Sequence, residues 1–459
     1  MRSRKIRVGA VAAMAVTGLV LAGCASDDDT NEPQSAGGTW PGEGMSECEG
    51  LEQLAEFGDL TGTTVGVYTS ILPPEQEAHE ASYELFTTCT GAEVDYDGSD
   101  QFETQLVVRV KAGNAPDIAY IPQPGLLQTV VASGEVEAAP TPTADNVDEF
   151  FGEDWKGYGT VDGTFYAAPL GASVKSFVWY SPSMFSDNGW EVPETWDDMI
   201  ALSDEIADSG MKPWCVGIES GEATGWVATD WLEDAVLRDA GADTYDQWVN
   251  HEIAFDDPAI VESLDRVGEI MKNPDYVNGG FGDVNSIATT AFQDGGLPIL
   301  DEKCAMHRQA SFYAAQWPEG TKVAEDGDVF AFYLPPTNEE NGKPVLGGGE
   351  FVAAFSNDPE VQAFQTYLST DVWANEKAQA TPGGGWVSAN TGLDIANLTS
   401  PIDQLSAETF QDPEAVFRFD GSDQMPSAIG AGAFWKEMTA WVTGDSSEEA
   451  LGNIESSWQ

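Results

Sequence analysis

Between Thr64 and Ile121 the chain alternates short apolar stretches with amphipathic ones, and nothing else in the sequence restricts the fold as much. Thr64-Val-Gly-Val-Tyr-Thr69, Ala92-Glu-Val-Asp-Tyr96 and Asp117-Ile-Ala-Tyr-Ile121 read as strands, the last stopped by Pro122 and Pro124. The first interval opens a helix after Pro73-Pro74, runs with helical spacing over 75–89 and closes at Thr90-Gly91. The second is capped by Ser99 or Asp100 and runs to Ala112-Gly113. Strand, helix, strand, helix, strand implies a parallel sheet with right-handed crossovers. Ligands of such sheets sit at the carboxyl ends of the strands. Those ends are Tyr68-Thr69-Ser70, Asp97-Gly98-Ser99 and Pro122-Gln123-Pro124-Gly125.

The chain is 459 residues long, enough for two or three domains, and the α/β pattern returns further on. Residues 158–169 read as a hairpin turning at Asp162-Gly163, followed by an extended stretch over 173–180. Helices are predicted over 182–188 and 195–208, the second opened by Thr195-Trp-Asp-Asp198, a capping box with Asp in place of Glu. A strand at 214–218 precedes a polar, Gly-rich loop at 219–225 and helices over 226–240 and 259–272. Later strands are predicted at 331–336 and 347–355, and helices at 359–369 and 434–442. A second α/β lobe is therefore expected. Asp97-Gly-Ser-Asp-Gln101 recurs as Asp420-Gly-Ser-Asp-Gln424, but the flanks do not match, so the recurrence reads as loop chemistry and not as a repeat.

The N-terminus has a basic tip (Arg2, Arg4, Lys5, Arg7), an apolar run over 8–21 and a small-residue exit, the pattern of a secretory signal. The run falls short of the roughly 20 apolar residues that span a bilayer. Leu21-Ala-Gly-Cys24 resembles a bacterial lipobox, which implies a signal peptide at 1–23 and a lipid on Cys24, the first mature residue. Residues 24–59, rich in Gly, Ser, Asp, Glu and Pro, read as a flexible tether with a short acidic helix over 49–57. The signal holds four of the 19 basic residues and no acidic ones, leaving 15 against 78 in the mature chain, a net charge of −63. That charge argues against nucleic acid and anionic lipid headgroups as partners. Beyond Cys24 four cysteines remain, an even number that in an exported protein suggests two disulfides with three possible connectivities. No pair has C-x-x-C spacing and His79, His251 and His307 lie far apart, so no metal site is expected.

The order of these features resembles a bacterial extracellular solute-binding protein of the sugar-uptake class, closest to actinobacterial maltose- and α-glucoside-binding lipoproteins. Ala115-Pro-Asp-Ile-Ala-Tyr120 is similar to that family's strand entering the cleft, and 158–181 to its hairpin and hinge-crossing strand. Val192-Pro-Glu-Thr-Trp-Asp-Asp198 resembles its Pro-x-Thr-Trp helix opening. Met425-Pro-Ser-Ala-Ile-Gly-Ala-Gly-Ala-Phe-Trp435 resembles the late loop that delivers a cleft tryptophan. The resemblance implies a two-lobed periplasmic-binding-protein-like α/β fold, with a mixed sheet in each lobe and a three-segment hinge. The crossings are expected near 171–173, 330–335 and 380–384. Lobe 1 would then hold 60–171 and 331–383, and lobe 2 would hold 172–330 and 384–459. Pairing within lobes favours Cys48–Cys89 and Cys215–Cys304. The function implied is capture of an oligosaccharide, most closely a maltose- or trehalose-like α-glucoside, by hinge closure. Delivery would be to an ABC permease, by a lipid-held monomer on the extracellular face of the membrane, with no cofactor.

A sugar site needs aromatic rings against C–H faces, and carboxylates, amides, Arg or Lys against hydroxyls. Trp435 matches the family's stacking position. Trp386 stands in the Gly-rich loop 381–388, and Trp226 follows the loop 219–225. Tyr68 and Thr69 end the first strand, Glu103 opens the helix after the second, and Gln123 follows the third. Lys175 is a lone cation on the hinge-crossing strand. Arg308, among apolar neighbours, either meets the ligand or neutralises an internal carboxylate, and Glu350 follows three glycines. The rival readings are a secreted glycoside hydrolase and a surface-binding lipoprotein without transport. A hydrolase needs two carboxylates flanking a cleft, a signal that is empty among 78 acids. No G-x-S-x-G, H-E-x-x-H or G-x-x-x-x-G-K-[ST] motif appears, so no enzyme activity is expected.

Overall fold

The computed structural model describes residues 39–278, 281–412 and 414–458, so Cys24 and the signal at 1–23 lie outside the described residues. The first sheet runs in the order Glu93–Gly98, Thr64–Thr69, Ile118–Ile121, Phe351–Ala354, Ala167–Pro169. Its first three strands are parallel, and Phe351–Ala354 lies antiparallel to both of its neighbours. Period-two alternation divides its central side chains between two cores. Val65, Val67, Ile118, Tyr120 and Val352 face Phe86, Phe364 and Tyr367, while Tyr68, Ala119, Ile121 and Phe351 face Phe102, Leu106 and Leu126.

The second sheet, also mixed, runs Phe330–Tyr333, Phe177–Tyr180, Cys304–Arg308, Lys212–Trp214. Against it packs the helix Trp226–Asp239, buried over every residue from Val227 to Arg238. A third sheet of Ala415–Phe419, Lys343–Gly348 and Ser173–Val174 lies beside these two. The fold is thus α/β with two lobes. The two disulfides, Cys48–Cys89 and Cys215–Cys304, have Cα separations of 5.8 and 5.6 Å, and each joins residues of one core cluster.

The capping box is present: Thr195 Oγ1 accepts from the Asp198 N–H at 3.1 Å and donates to the Asp198 carboxylate at 2.7 Å. The helix expected over 75–89 is two, Gln76–Ala81 and Glu84–Thr90. Ser82 Oγ donates to the His79 carbonyl at 2.7 Å, a local bond that competes with helix continuation. The expected tether, 24–59, is packed from Trp40 onward. Trp40, Cys48, Leu51 and Leu54 are buried in the first lobe's core, held there by apolar contact and the bond to Cys89.

The passages between lobes also differ from those expected near 330–335 and 380–384. Phe330–Tyr333 stays in the second sheet, and the chain returns to the first between Gly348 and Phe351. Trp386, Val387 and Leu398 pack in the first lobe's core and Ile402 in the second's, but Ala407 and Phe419 return to the first and Met425 to the second, so the last passage is spread over 398–425. At the first crossing Gly171 and Gly349 meet backbone to backbone. A Cβ on Gly349 would lie 2.2 Å from the Gly171 carbonyl oxygen, which only glycine avoids.

Candidate functional site

The loops leaving the carboxyl ends of Thr64–Thr69, Glu93–Gly98 and Ile118–Ile121 form one wall of a cavity of about 360 Å3, through Ser70 and Ile71, Ser99 and Asp100, and Pro122 and Gln123. The second lobe supplies an aromatic wall of Trp226, Phe292, Phe312 and Trp435. Trp226 stands edge-on to Phe292, with ring centroids 5.2 Å apart. Lys175 and Glu350 enter at the crossings, and Asp420 and Asp423 enter from the short helix Gly421–Gln424 and its cap.

Trp435 reaches the cavity from a π-helical turn, Ile429–Phe434, that runs into the helix Trp435–Thr443. Such turns are frequent at functional sites. Gly225, at φ +116°, lies under this turn, and a Cβ there would come 2.1 Å from the Trp435 carbonyl oxygen. The Trp435 indole N–H and the Gln123 amide oxygen are buried without a hydrogen-bond partner. Buried polar atoms are rarely left so.

A buried ion network underlies the aromatic wall. Lys175 Nζ lies 3.1 Å from Asp230, 2.5 Å from Asp420 and 3.9 Å from Asp423. Arg308 is paired with Asp230 at 3.4 Å and Asp234 at 2.8 Å, and Arg238 also pairs with Asp234. Glu233 accepts the N–H groups of Gly421 at 2.9 Å and Ser422 at 3.1 Å. Burial disfavours the Lys175 ammonium, but Asp230, Asp420 and Asp423 outweigh it and hold its pKa well above the ordinary value. Burial likewise opposes ionisation of Asp420, yet Lys175 and its hydrogen bonds keep that carboxyl below the usual range. Asp230, Glu233 and Asp420 bring oxygens within 4.8 Å of one another. The Lys175 ammonium and the two backbone N–H groups already engage those oxygens, so the set does not fit a metal ion.

The cavity's other acids are shifted upward. Burial raises Glu103, whose Oε1 accepts from the Gln123 amide at 3.2 Å, and burial also raises Glu350. Burial and the charge of Glu350 push Glu75 up to about 8, and burial with Asp420 raises Asp423. A pocket lined by shielded carboxyls, one ammonium and four aromatic rings suits hydroxyls and C–H faces.

Of the residues singled out in the sequence, Glu103, Gln123, Lys175, Trp226, Glu350 and Trp435 line this cavity. Tyr68 and Thr69 do not. Tyr68 is core under the Arg109 guanidinium, 3.9 Å from its ring, and Thr69 Oγ1 accepts the Ile71 N–H at 3.1 Å. The strand end reaches the cavity one residue later than expected. Arg308, wholly buried among carboxylates, neutralises internal charge. Trp386 packs edge-on to Trp373, centroids 5.6 Å apart, and lies outside this cavity. Asp420, Asp423, Phe292, Phe312 and Glu75 went unselected. For the two aspartates a signal existed: both Asp-Gly-Ser-Asp-Gln loops reach the cavity, through Ser99 and Asp100 and through Asp420, Ser422 and Asp423. The phenylalanines carry no local mark.

Residues 72–375 match the family model described as bacterial extracellular solute-binding protein. The osmoprotective compounds-binding protein GgtB of Synechocystis sp. is 39% identical over 417 residues, covering 90% of this chain and 96% of that protein. The alpha-glucosides-binding periplasmic protein AglE of Rhizobium meliloti is 38% identical over 427 residues, covering 89% and 90%. Both are binding proteins by name. Among solved structures, the bacterial solute receptor AcbH superposes with a TM-score of 0.73 at 20% identity, over 86% of this chain and 98% of that one. The GacH receptor of Streptomyces glaucescens superposes with a TM-score of 0.66 at 14% identity, over 87% and 98%. These two establish the shared two-lobed fold. The chain belongs to the bacterial extracellular solute-binding protein family.

Proposed function

We propose that this protein captures an α-glucoside, maltose- or trehalose-like, in the cavity between its lobes and delivers it to an ABC permease. It acts as a binder without turnover, and as a monomer held by a lipid on Cys24 at the extracellular face of the membrane. The observation that carries the reading is the pairing of Trp226 and Trp435 with Lys175, Glu103, Gln123 and Asp423 around one cavity of about 360 Å3. Its volume falls in the range of small-molecule sites, about 300–1,000 Å3. The unpartnered Trp435 N–H and Gln123 oxygen offer a donor and an acceptor to sugar hydroxyls. The name of AglE supports an α-glucoside, and that of GgtB supports an osmoprotective compound. An α-glucoside suits these walls. Closure of the lobes would add contacts that exist only in the shut state.

Tryptophan fluorescence titrated with maltose, trehalose and other α-glucosides, with product analysis in parallel, tests this. Saturable quenching with unaltered sugar is expected. Released glucose would instead favour a hydrolase, and silence toward every sugar would end the proposal. For the anchor, mass spectrometry of the membrane-extracted protein is expected to show a lipid on Cys24, and an unmodified residue there would remove that part.

A further inference from the structure

Beyond the cavity just described, Glu75 also borders a second one, of about 340 Å3. It lies between the two lobes. His79, Lys377 and Trp386 line it from the first lobe, the glycines 383–385 close one side, and Ala315 stands on the second lobe. Between the two cavities Gln316 Nε2 donates to Glu75 Oε1 at 2.8 Å, a bond that joins the lobes. Both cavities are of ligand size.

The walls of this second cavity are under-satisfied. His79 is 3% exposed and its Nδ1 has no partner. Trp386 offers this cavity its ring, since its indole N–H, also without a partner, faces Gly171 beside Glu350. Lys377 is 2% exposed, and its ammonium donates only to Thr381 Oγ1, at 3.0 Å, among the described side chains. An ammonium has three protons to place. The Lys377 ammonium lies 5.4 Å from the Trp386 ring centroid, so ring and cation serve the same space. Glu75, Glu350 and Asp403 surround Lys377. Those carboxyls disfavour an anion, and a neutral polyhydroxy group fits the mixture of donors, acceptors and aromatic surface.

We propose that the second cavity is a binding compartment for the distal ring or rings of a longer α-glucoside, continuing from the first past the Glu75–Gln316 bond. This rests on the proposed sugar-binding function and extends it to chain length. A ligand that fills only the first cavity leaves that bond intact. One that reaches both displaces it, presenting hydroxyls to Glu75, Lys377 and His79 and a C–H face to Trp386.

Gly383 allows a test that leaves the first cavity untouched. Its φ is not in the left-handed region, and a Cβ there meets nothing within 4 Å. Gly383 is exposed at the rim of the second compartment, so Gly383→Phe sets a ring at its mouth without backbone strain. The full chain is titrated with maltose and with maltotriose by calorimetry. Wild type is expected to bind maltotriose at least about tenfold more tightly, and Gly383→Phe to lose that advantage while holding maltose within about twofold. Lys377→Met is expected to do the same by removing donors instead of space. Equal affinity of wild type for the two sugars, an unchanged preference in both variants, or a parallel loss for both sugars would overturn the proposal while leaving sugar binding intact. Failure of wild type to bind any glycoside would remove the parent reading and this one together.

Discussion

Lys175 gives the most demanding test of the buried network. In Lys175→Met the side-chain volume is nearly kept and one charge is removed. Asp420 loses its only cationic partner among the described residues, at 2.5 Å, while Asp230 keeps Arg308 at 3.4 Å. At an effective dielectric of about 20, a contact near 3 Å is worth about 5 kcal/mol. The variant does not lose all of that, because the stranded carboxyl takes up a proton instead. Breaking one side of a buried pair costs about 3–5 kcal/mol, which is the loss expected at pH 7. Proton uptake sets the sign of the pH response. Folded Lys175→Met binds one more proton than its unfolded chain, so its deficit relative to wild type grows with pH, by up to about 1.4 kcal/mol per unit. Urea unfolding followed by tryptophan fluorescence at pH 5, 6, 7 and 8 reads both numbers. Lys175→Met with Asp420→Asn is expected to recover most of the loss, since no unpaired charge remains. A deficit under about 1 kcal/mol at pH 7, or one equal at pH 5 and pH 8, would refute the electrostatic account.

Trp435→Ala is expected to cost at least about 2 kcal/mol of sugar affinity, as a buried aromatic anchor does, and unchanged affinity in a folded variant would contradict its role. Gly225→Ala is expected to weaken sugar binding by shifting the Trp435 turn, whose carbonyl a Cβ would approach to 2.1 Å, and unchanged binding and melting temperature would refute that. Ligand-free stability is expected to peak near pH 4–5 and fall toward pH 8. Burial raises Glu75 from 4.5 to about 8 and Asp230 and Asp403 from 3.8 to about 7, so the folded state holds extra protons across that window. Lys377, lowered to about 8, reverses the trend only above that pH. Asp420, held low, withdraws stability below about pH 4. Thermal melts across pH check the shape, and a flat profile would count against it. Replacing Cys48 and Cys89 by alanine is expected to cost up to about 4 kcal/mol, from the 41-residue loop they close, and to expose residues 40–57 to protease.

The first lobe was legible because its signals are local. Thr64–Thr69 and Ile118–Ile121 are apolar on both faces, and Pro122 and Gly91 mark where elements stop. The Thr195 cap was equally readable. What distance in sequence decides was not. Nothing near Trp40, Leu51 or Leu54 says that a stretch rich in Gly, Ser and acids docks on a core, because the partners are Cys89 and the helix Pro359–Leu368. The helix Trp226–Asp239 has four charged residues among its buried ones, which reads as a solvated face until Lys175, Arg308 and the Asp420 loop are placed around it. Within the site, residue type was the better guide where position was exceptional, as with Lys175 on an apolar strand. Trp386 stands apart from the other site residues: it lines the second cavity instead of the first, packed against Trp373 and Lys377.

The segment from Trp40 to Phe57 is fastened to the first lobe by core packing and by Cys48–Cys89. Any force applied to the chain before Trp40 is therefore taken up by that lobe alone. The covalent load path ends at Cys89 and never enters the crossings at Gly171, Gly349 or 398–425. On the proposed closure of the lobes, the second lobe would swing with no tension across its pivots, and a molecule held by its N-terminus would open and close as one free in solution does.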